Sequence, residues 1–83
     1  MKARVYVTLK PSVFDPQGRA IVEALHTLGY TKAADVRQGK YFVLDLDVAT
    51  KAEAEKMAAA IADQVLANPV IEKFTIDIEG AAQ

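Results

Sequence analysis

Asp45 and Asp47 are the two side chains best spaced for chemistry, because alternate residues of a strand lie on the same face. Strand geometry would put them about 7 Å apart, which suits a metal ion or an acid pair. The only histidine, His26, lies within a predicted helix, where it could act as a base. A solvated carboxylate edge and an exposed histidine are the simpler interpretations. Because the sequence also lacks a Ser-His-Asp set and a glycine-rich phosphate loop, we predict no catalytic, cofactor-binding or metal-binding residue.

Basic residues surround a predicted turn and could bind an anion or an acidic protein surface. Arg37 and Lys40 flank the Gln38-Gly39 turn, and Lys10 ends the first predicted strand. The same residues also serve solubility, and their spacing does not decide between the two roles.

Length and composition limit the class of protein. The 83 residues form one domain, 1–83, with 52% apolar residues, no cysteine and a net charge of −1. A chain this small buries only about 60% of its unfolded surface, so self-association is the expected support. The charge argues against binding to nucleic acid or to a membrane surface. Because no apolar run could span a bilayer and no signal peptide is recognisable, we expect a cytoplasmic protein.

Hydrophobic periodicity predicts six elements in the order β-α-β-β-α-β. They are strands at 3–10, 33–38, 40–48 and around 74–78, with helices at 15–28 and from 50 to about 67. This order predicts the α+β class, with a four-stranded antiparallel sheet that carries both helices on one face, as in ferredoxin-like folds. Two helical faces are expected to be buried on the sheet. They are Ile21, Ala24, Leu25 and Leu28 in the first helix, and Ala54, Met57, Ala58, Ile61 and Val65 in the second.

Both predicted helices have recognisable starts. Asp15 can cap the first helix, and Pro16 suits the first helical position. Gly18 weakens the first turn, which indicates that another part of the chain packs closely against it. Thr50 and Glu53 form a capping box for the second helix.

The predicted topology leaves one sheet face open, with Tyr6, Tyr41 and Val43 as an apolar patch at its centre. A patch of this kind usually marks an interface. RNA-recognition modules also expose aromatic residues on an open sheet, but Tyr41 and its neighbour Phe42 point to opposite faces here. We therefore predict that the open face serves self-association.

Three tracts resemble the PurS family, in order and over nearly the whole chain. The first, 6–20, contains Lys10-Pro-Ser-Val-Phe-Asp-Pro-Gln-Gly18. The second runs from Leu25 to Tyr30 and resumes at 35–41, and the third covers 66–74. The segment 47–65 adds little beyond its helical pattern, and the tail 80–83 adds nothing.

The resemblance implies a non-catalytic small subunit of phosphoribosylformylglycinamidine synthase, a ligase complex of purine biosynthesis. In this family a glutaminase subunit, PurQ, releases ammonia, and a synthetase subunit, PurL, uses it with ATP and Mg. The small subunit brings the two together and assists ammonia transfer, and it is a homodimer or a homotetramer without activity of its own. A dimeric module that senses a small molecule, and a small enzyme that uses Asp45 or Asp47, are the alternatives.

Within this interpretation we assign two sets of surface residues. The open-face patch of Tyr6, Tyr41 and Val43 is the candidate for self-association. The candidates for contact with partner subunits are Lys10, Asp15, Gln17, Gly18, Arg37, Lys40 and Asn68.

Overall fold

The computed structural model describes residues 1–79, which form a single small α+β domain. Its elements are β1 (Lys2–Leu9), α1 (Pro16–Thr27), β2 (Gly39–Asp45), α2 (Lys51–Ile61), a π-helical segment (Ala62–Leu66) that continues α2, and β3 (Glu72–Glu79). No helix in this part of the chain has the length and apolarity needed to cross a bilayer.

The sheet has three antiparallel strands in the order β2-β1-β3. The central strand places Tyr6 between Tyr41 on one side and Thr75 on the other. The predicted strand at 33–38 is absent, so the four-stranded ferredoxin-like sheet is not found in residues 1–79. The physical reason is that this segment hydrogen-bonds elsewhere: the amide of Gln38 donates to the Asp15 carboxylate instead of to a sheet edge.

One face of the sheet is covered by α2 and its π-helical continuation. Ala3, Val5 and Val7 of β1 are fully buried beneath them. The covering helix presents small residues, and Ala54, Ala58 and Ala62 have no exposed surface. Because alanine adds little bulk, helix and sheet approach closely, and half-buried side chains close the edges of this core. They are Phe42, Leu44, Leu66, Phe74, Ile76 and Ile78.

The π-helical segment changes which face of the second helix is buried. Val65, which was predicted to be in the core, is 75% exposed. Met57, also predicted to be in the core, lies before this segment and is 44% exposed, because Ala54 and Ala58 occupy the sheet-facing side of α2. The amide of Ala67 donates to the carbonyl of Ala62 at 2.8 Å, a bond that spans five residues instead of four. This extra residue rotates the end of the helix, so that Leu66 and Ala67 pack on the sheet in place of Val65.

The first helix does not pack on the sheet, which corrects the prediction of two helices on one face. No substantial contact joins α1 to a strand or to α2. Residues 10–38, here called the arm, project from the rest of the domain, here called the body, which contains the sheet and α2. In the arm, Ile21 and Leu28 remain 40% and 73% exposed. The radius of gyration is 16.1 Å, whereas a compact chain of this length has about 12 Å.

Candidate functional site

A buried carboxylate joins the two ends of the arm. Asp15, which is only 6% exposed, accepts hydrogen bonds from the amide of Gly18 at 3.0 Å and from the amide of Gln38 at 2.7 Å. We call this arrangement the Asp15 clasp. The two amide hydrogen bonds, together with the positive charge of Arg37, hold the pKa of Asp15 below its usual value. The clasp therefore holds a charged carboxylate at the base of the arm.

Gly18 allows the clasp to close. A Cβ atom at this position would overlap the carbonyl oxygen of Val36 and would lie 2.8 Å from the Asp15 carboxylate. The prediction that another part of the chain packs closely against this turn is confirmed. The packed segment is the backbone of residues 28–38, which returns from α1 to β2 and is here called the return segment.

Arg37 fastens the turn that precedes α1. Its Nη2 atom donates to the carbonyl oxygens of Lys10, at 3.0 Å, and Val13, at 2.8 Å. Its charge thus faces the carbonyl ends of a turn, and Nε and Nη1 have no hydrogen-bond partner among residues 1–79. Arg37 therefore has a structural contact as well as free donor atoms.

The structure brings the predicted partner contacts to one end of the sheet, here called the turn end, where β1 finishes and β2 and β3 begin. Gln17 and Lys40 are exposed there, although Lys40 also lies 3.5 Å from Glu72. Asn68 accepts from the amide of Val70 at 3.1 Å and shapes the turn before β3. Lys10 is half-buried. Asp15 and Gly18 are buried inside the clasp, so neither offers an exposed side chain at this end.

A cavity of about 280 Å³ opens at the turn end, beside the open face. It is lined by Thr8, Leu9, Pro11, Asp35, Arg37 and Lys73. Lys73 was missed at the sequence level. The signal that could have found it is the alternation of β3, which places Lys73 on the open face with Thr75 and Asp77, directly beside Thr8.

The open face carries the predicted aromatic patch. The rings of Tyr6 and Tyr41 stack with centroids 5.1 Å apart and an angle of 27° between their planes. They remain 42% and 54% exposed, and Val43 is 52% exposed. The structure therefore groups the three residues, and their role in self-association stays a prediction.

A charged cluster adjoins this patch. Arg4 contacts Glu79 at 2.6 Å and Asp77 at 3.5 Å. Hydrogen bonds to Glu79 and Tyr41 raise the pKa of the Arg4 guanidinium above its ordinary value. Arg4 thus remains a fixed positive charge among carboxylates.

The side chains that could act as catalysts lie in two different parts of the chain: His26 is in α1, and Asp45 and Asp47 are at the end of β2. The Nε2 atom of His26 lies 2.8 Å from the carbonyl oxygen of Ala33, where it joins α1 to the return segment at the far end of the arm. Asp45 ends β2, and Asp47 lies beyond it. Within residues 1–79, no group of three or more His, Cys, Asp or Glu side chains is arranged to hold a metal ion.

Comparison with known proteins decides the family. The family model described as "PurS: Phosphoribosylformylglycinamidine (FGAM) synthase" matches residues 2–80. The chain belongs to the PurS family. Membership makes it a subunit of FGAM synthase, an enzyme of purine biosynthesis.

PurS relatives match the chain over almost its full length. The PurS subunit of Mycobacterium leprae is 49% identical over 94% of this chain and 95% of its own, and that of Synechocystis is 46% identical over 94% and 81%. The solved PurS of Bacillus subtilis superposes with a TM-score of 0.82 at 39% identity, covering 95% of this chain and 98% of its own. A chain in the PurLQS structure from Thermotoga maritima superposes with a TM-score of 0.83 at 25% identity, covering 92% and 93%.

Proposed function

We propose that this chain is the non-catalytic subunit that bridges the glutaminase PurQ and the synthetase PurL of FGAM synthase and assists ammonia transfer. The reaction is the ATP- and glutamine-dependent conversion of formylglycinamide ribonucleotide to the amidine, and ATP and Mg are used by the other subunits in the cytoplasm. The observation that carries the proposal is the likeness, over 92% of the chain, to a chain of the Thermotoga maritima PurLQS structure.

The shape of the turn end supports a role in binding larger subunits. The Asp15 clasp and the Arg37 hydrogen bonds hold the turns at this end in one arrangement. A preorganised surface loses less entropy on association than a flexible one. Exposed Gln17 and Lys40 are the side chains that we assign to direct contact.

Ammonia transfer gives a physical reason for a subunit without catalytic residues. Ammonia that escapes into bulk water is diluted and protonated, so a protein that closes an interface around it favours the coupled reaction by excluding water. Such a protein supplies surface and shape, and both are available on the open face and the arm.

Self-association is part of the proposal, and we assign it to Tyr6, Tyr41 and Val43, as a homodimer or within a homotetramer. Stacked, half-exposed aromatic rings at the centre of an open face are typical of interface cores. A Tyr41→Asp variant should lose its dimer mass in light scattering. Retention of the wild-type mass by a folded variant would contradict this assignment.

The decisive experiment measures amidine formation by purified PurL and PurQ from the same organism, with and without this chain. We expect glutamine-dependent activity to require its addition, while ammonia-dependent activity of PurL requires it less. If neither activity nor co-elution changes, the proposed role is wrong.

Reversing the charges of Arg37 and Lys40 tests the turn end, because unchanged assembly of the complex would exclude these side chains as contacts. Lys51→Glu combined with Lys56→Glu, at two exposed positions of α2 away from this end, is the matched control.

A further inference from the structure

The cavity at the turn end has a positively charged wall. Arg37 and Lys73 contribute two cations to its lining, against the single carboxylate of Asp35, and Thr8 adds a hydroxyl group. Its volume of about 280 Å³ is close to the lower end of the range of about 300–1,000 Å³ that is typical of small-molecule sites. The size and charge of the cavity therefore suit a small anion.

The two cations are not neutralised by carboxylates within residues 1–79. Neither Arg37 nor Lys73 forms an ion pair there. The carboxylate of Asp35 accepts a hydrogen bond from the amide of Val36 at 2.9 Å and forms no ion pair with either cation. Because like charges that share a cavity repel each other, a bound anion would stabilise both side chains in their charged forms.

The guanidinium of Arg37 is oriented before any ligand binds. Its Nη2 atom donates to the carbonyl oxygens of Lys10 and Val13, which leaves the N–H groups of Nε and Nη1 as donors for a ligand. A side chain that is already fixed loses little entropy when it binds an anion. Arginine also keeps its charge in proteins, so this donor is present at every pH at which the chain is folded.

Lys73 and Thr8 contribute the part of the wall that belongs to the sheet. They are direct partners in the pairing of β1 with β3, so their Cα atoms lie about 4.5–5.5 Å apart and their side chains share the open face. The β2 partner of Thr8 is Gly39, so no side chain from that position covers the threonine. An ammonium group and a hydroxyl group both donate hydrogen bonds to phosphate oxygens.

We propose that this cavity binds a phosphate group, either as free phosphate or as part of a small phosphate monoester. A phosphate monoester carries a charge of about −1.5 to −2 at neutral pH, which matches two cations better than the single charge of a carboxylate does. Leu9 and Pro11 complete the lining and offer apolar surface to the organic part of an ester. The inference gives the chain a ligand site of its own and does not rest on the bridging role.

The exposure of the site predicts weak, salt-sensitive binding. The side chains of Arg37 and Lys73 are both exposed to solvent, where ion pairs contribute little and are screened by salt. We therefore expect a dissociation constant of about 1 mM for phosphate, rising as sodium chloride is added.

The test is a titration of the full chain with inorganic phosphate, followed by NMR of the backbone amides at neutral pH and constant ionic strength. The amides of Thr8, Arg37 and Lys73 should shift together and give one dissociation constant. Acetate, the carboxylate comparison, should bind about fivefold more weakly or less tightly still. Ribose 5-phosphate distinguishes the two sources of the phosphate group. Tighter binding than phosphate assigns the cavity to an ester, and equal or weaker binding assigns it to free phosphate.

Variants of Lys73 link the binding to this cavity. Lys73→Gln should weaken phosphate binding by about fivefold, whereas Lys73→Arg, which keeps the charge, should bind like the wild type. Lys51→Gln removes the same charge from α2, away from the turn end, and should also bind like the wild type. Because Lys73 is exposed, circular dichroism and the melting temperature should stay at wild-type values in both Lys73 variants.

Three outcomes would overturn the proposal. They are phosphate that shifts no amide around the cavity, acetate that binds as tightly as phosphate, and a Lys73→Gln variant with unchanged affinity for phosphate. Since the titration needs no other subunit, the phosphate site can fail while the bridging function stands, and the reverse.

Discussion

The two helices of this chain have nearly equal lengths, 12 residues in α1 and 11 in α2, yet α2 packs on the sheet and α1 does not, although Gly18 and Val22 of α1 are buried. The alanines of α2 that face the sheet have no exposed surface, whereas Ile21 and Leu28 of α1 are 40% and 73% exposed. Burying one large aliphatic side chain is worth about 1.5–3 kcal/mol. The body of the protein gains this energy within one chain, whereas Ile21 and Leu28 of the arm do not. An apolar stripe on a helix therefore does not by itself show that the helix packs on the sheet of the same chain.

The largest difference between body and arm should appear when a charge is placed under α2. We expect Ala58→Asp to lower the free energy of unfolding by about 4 kcal/mol or more, because position 58 is fully buried against the sheet. Urea unfolding followed by circular dichroism measures this loss. Ala52→Asp, on the exposed side of the same helix, should stay within about 0.5 kcal/mol. Equal stability of the two variants would contradict the packing of α2.

Within the arm, substitutions beside the Asp15 clasp should lower stability more than substitutions at the far end. We expect Gly18→Val to cost about 1–3 kcal/mol, because the new side chain overlaps the carbonyl of Val36. Hydrogen exchange should show faster exchange at the amides of Gly18 and Gln38, with the amides of β1 unchanged. Gln17→Ala, one residue earlier and exposed, is the matched control. Loss of protection in β1 would mean that arm and body do not open separately.

The cap of α2 is a threonine hydroxyl that stabilises the body, whereas the cap of α1 is a titratable carboxylate that stabilises the arm. Thr50 accepts from the amide of Glu53 at 3.2 Å, so we expect Thr50→Ala to cost about 1 kcal/mol in the body. The bond from the Glu53 amide does not depend on pH, because the threonine hydroxyl does not titrate. Most of the loss should therefore persist at pH 3, although the second bond of the hydroxyl, to the Glu53 carboxylate at 3.1 Å, is weakened there. A cost that varied strongly between pH 3 and pH 7 would be evidence against a simple capping role.

Asp15, in contrast, makes the stability of the arm depend on pH. Its folded pKa is lower than the unfolded value of about 3.9, so its contribution is complete above the unfolded pKa and is lost as pH falls through the folded pKa. The protection of the Gln38 amide, measured relative to its intrinsic exchange rate at each pH, should therefore fall in acid. Asp15→Asn should abolish this pH-dependent loss of protection, since an amide does not titrate in this range, and a loss that persists in the variant would assign it to another group.

The smallest effect should come from the exposed side of α1. We expect Leu28→Ser to change the free energy of unfolding of dilute protein by less than about 0.5 kcal/mol, because Leu28 is 73% exposed. Leu46→Ser, at a site only 8% exposed in the body, should cost about 2–5 kcal/mol. Thermal melts at low concentration compare the two, and a large loss for Leu28→Ser would show that the arm packs within one chain.

Local sequence signals were sufficient for most elements. Alternation identified β1, and both helix caps are confirmed because a cap depends on residues within one turn of it. The second helix was expected to end at about residue 67, and the helical residues do end at Leu66. The predictions that failed concern contacts between residues far apart in the sequence. Ile21 and Leu28 were assigned to the core because periodicity shows which residues share a helix face but not whether the sheet reaches that face.

In the candidate site, too, local predictions succeeded and long-range ones failed. Tyr6 and Tyr41 were expected to meet on the open face, since alternation placed both on one side of neighbouring strands, and their rings do stack. The predicted strand at 33–38 was wrong because Asp15, 23 residues before Gln38, takes the hydrogen bond that a sheet would need. Lys73 was overlooked because its cavity forms only when the return segment reaches the end of β1.

The Asp15 clasp has a consequence for variation among related chains. It joins the chain where it leaves the body and where it returns, so the pairing of Thr8 with Gly39 is set at the base of the arm. Residues farther out, from the second turn of α1 to the return segment, are insulated from the register of the sheet. We therefore expect insertions, deletions or a changed surface in that stretch to leave the body intact.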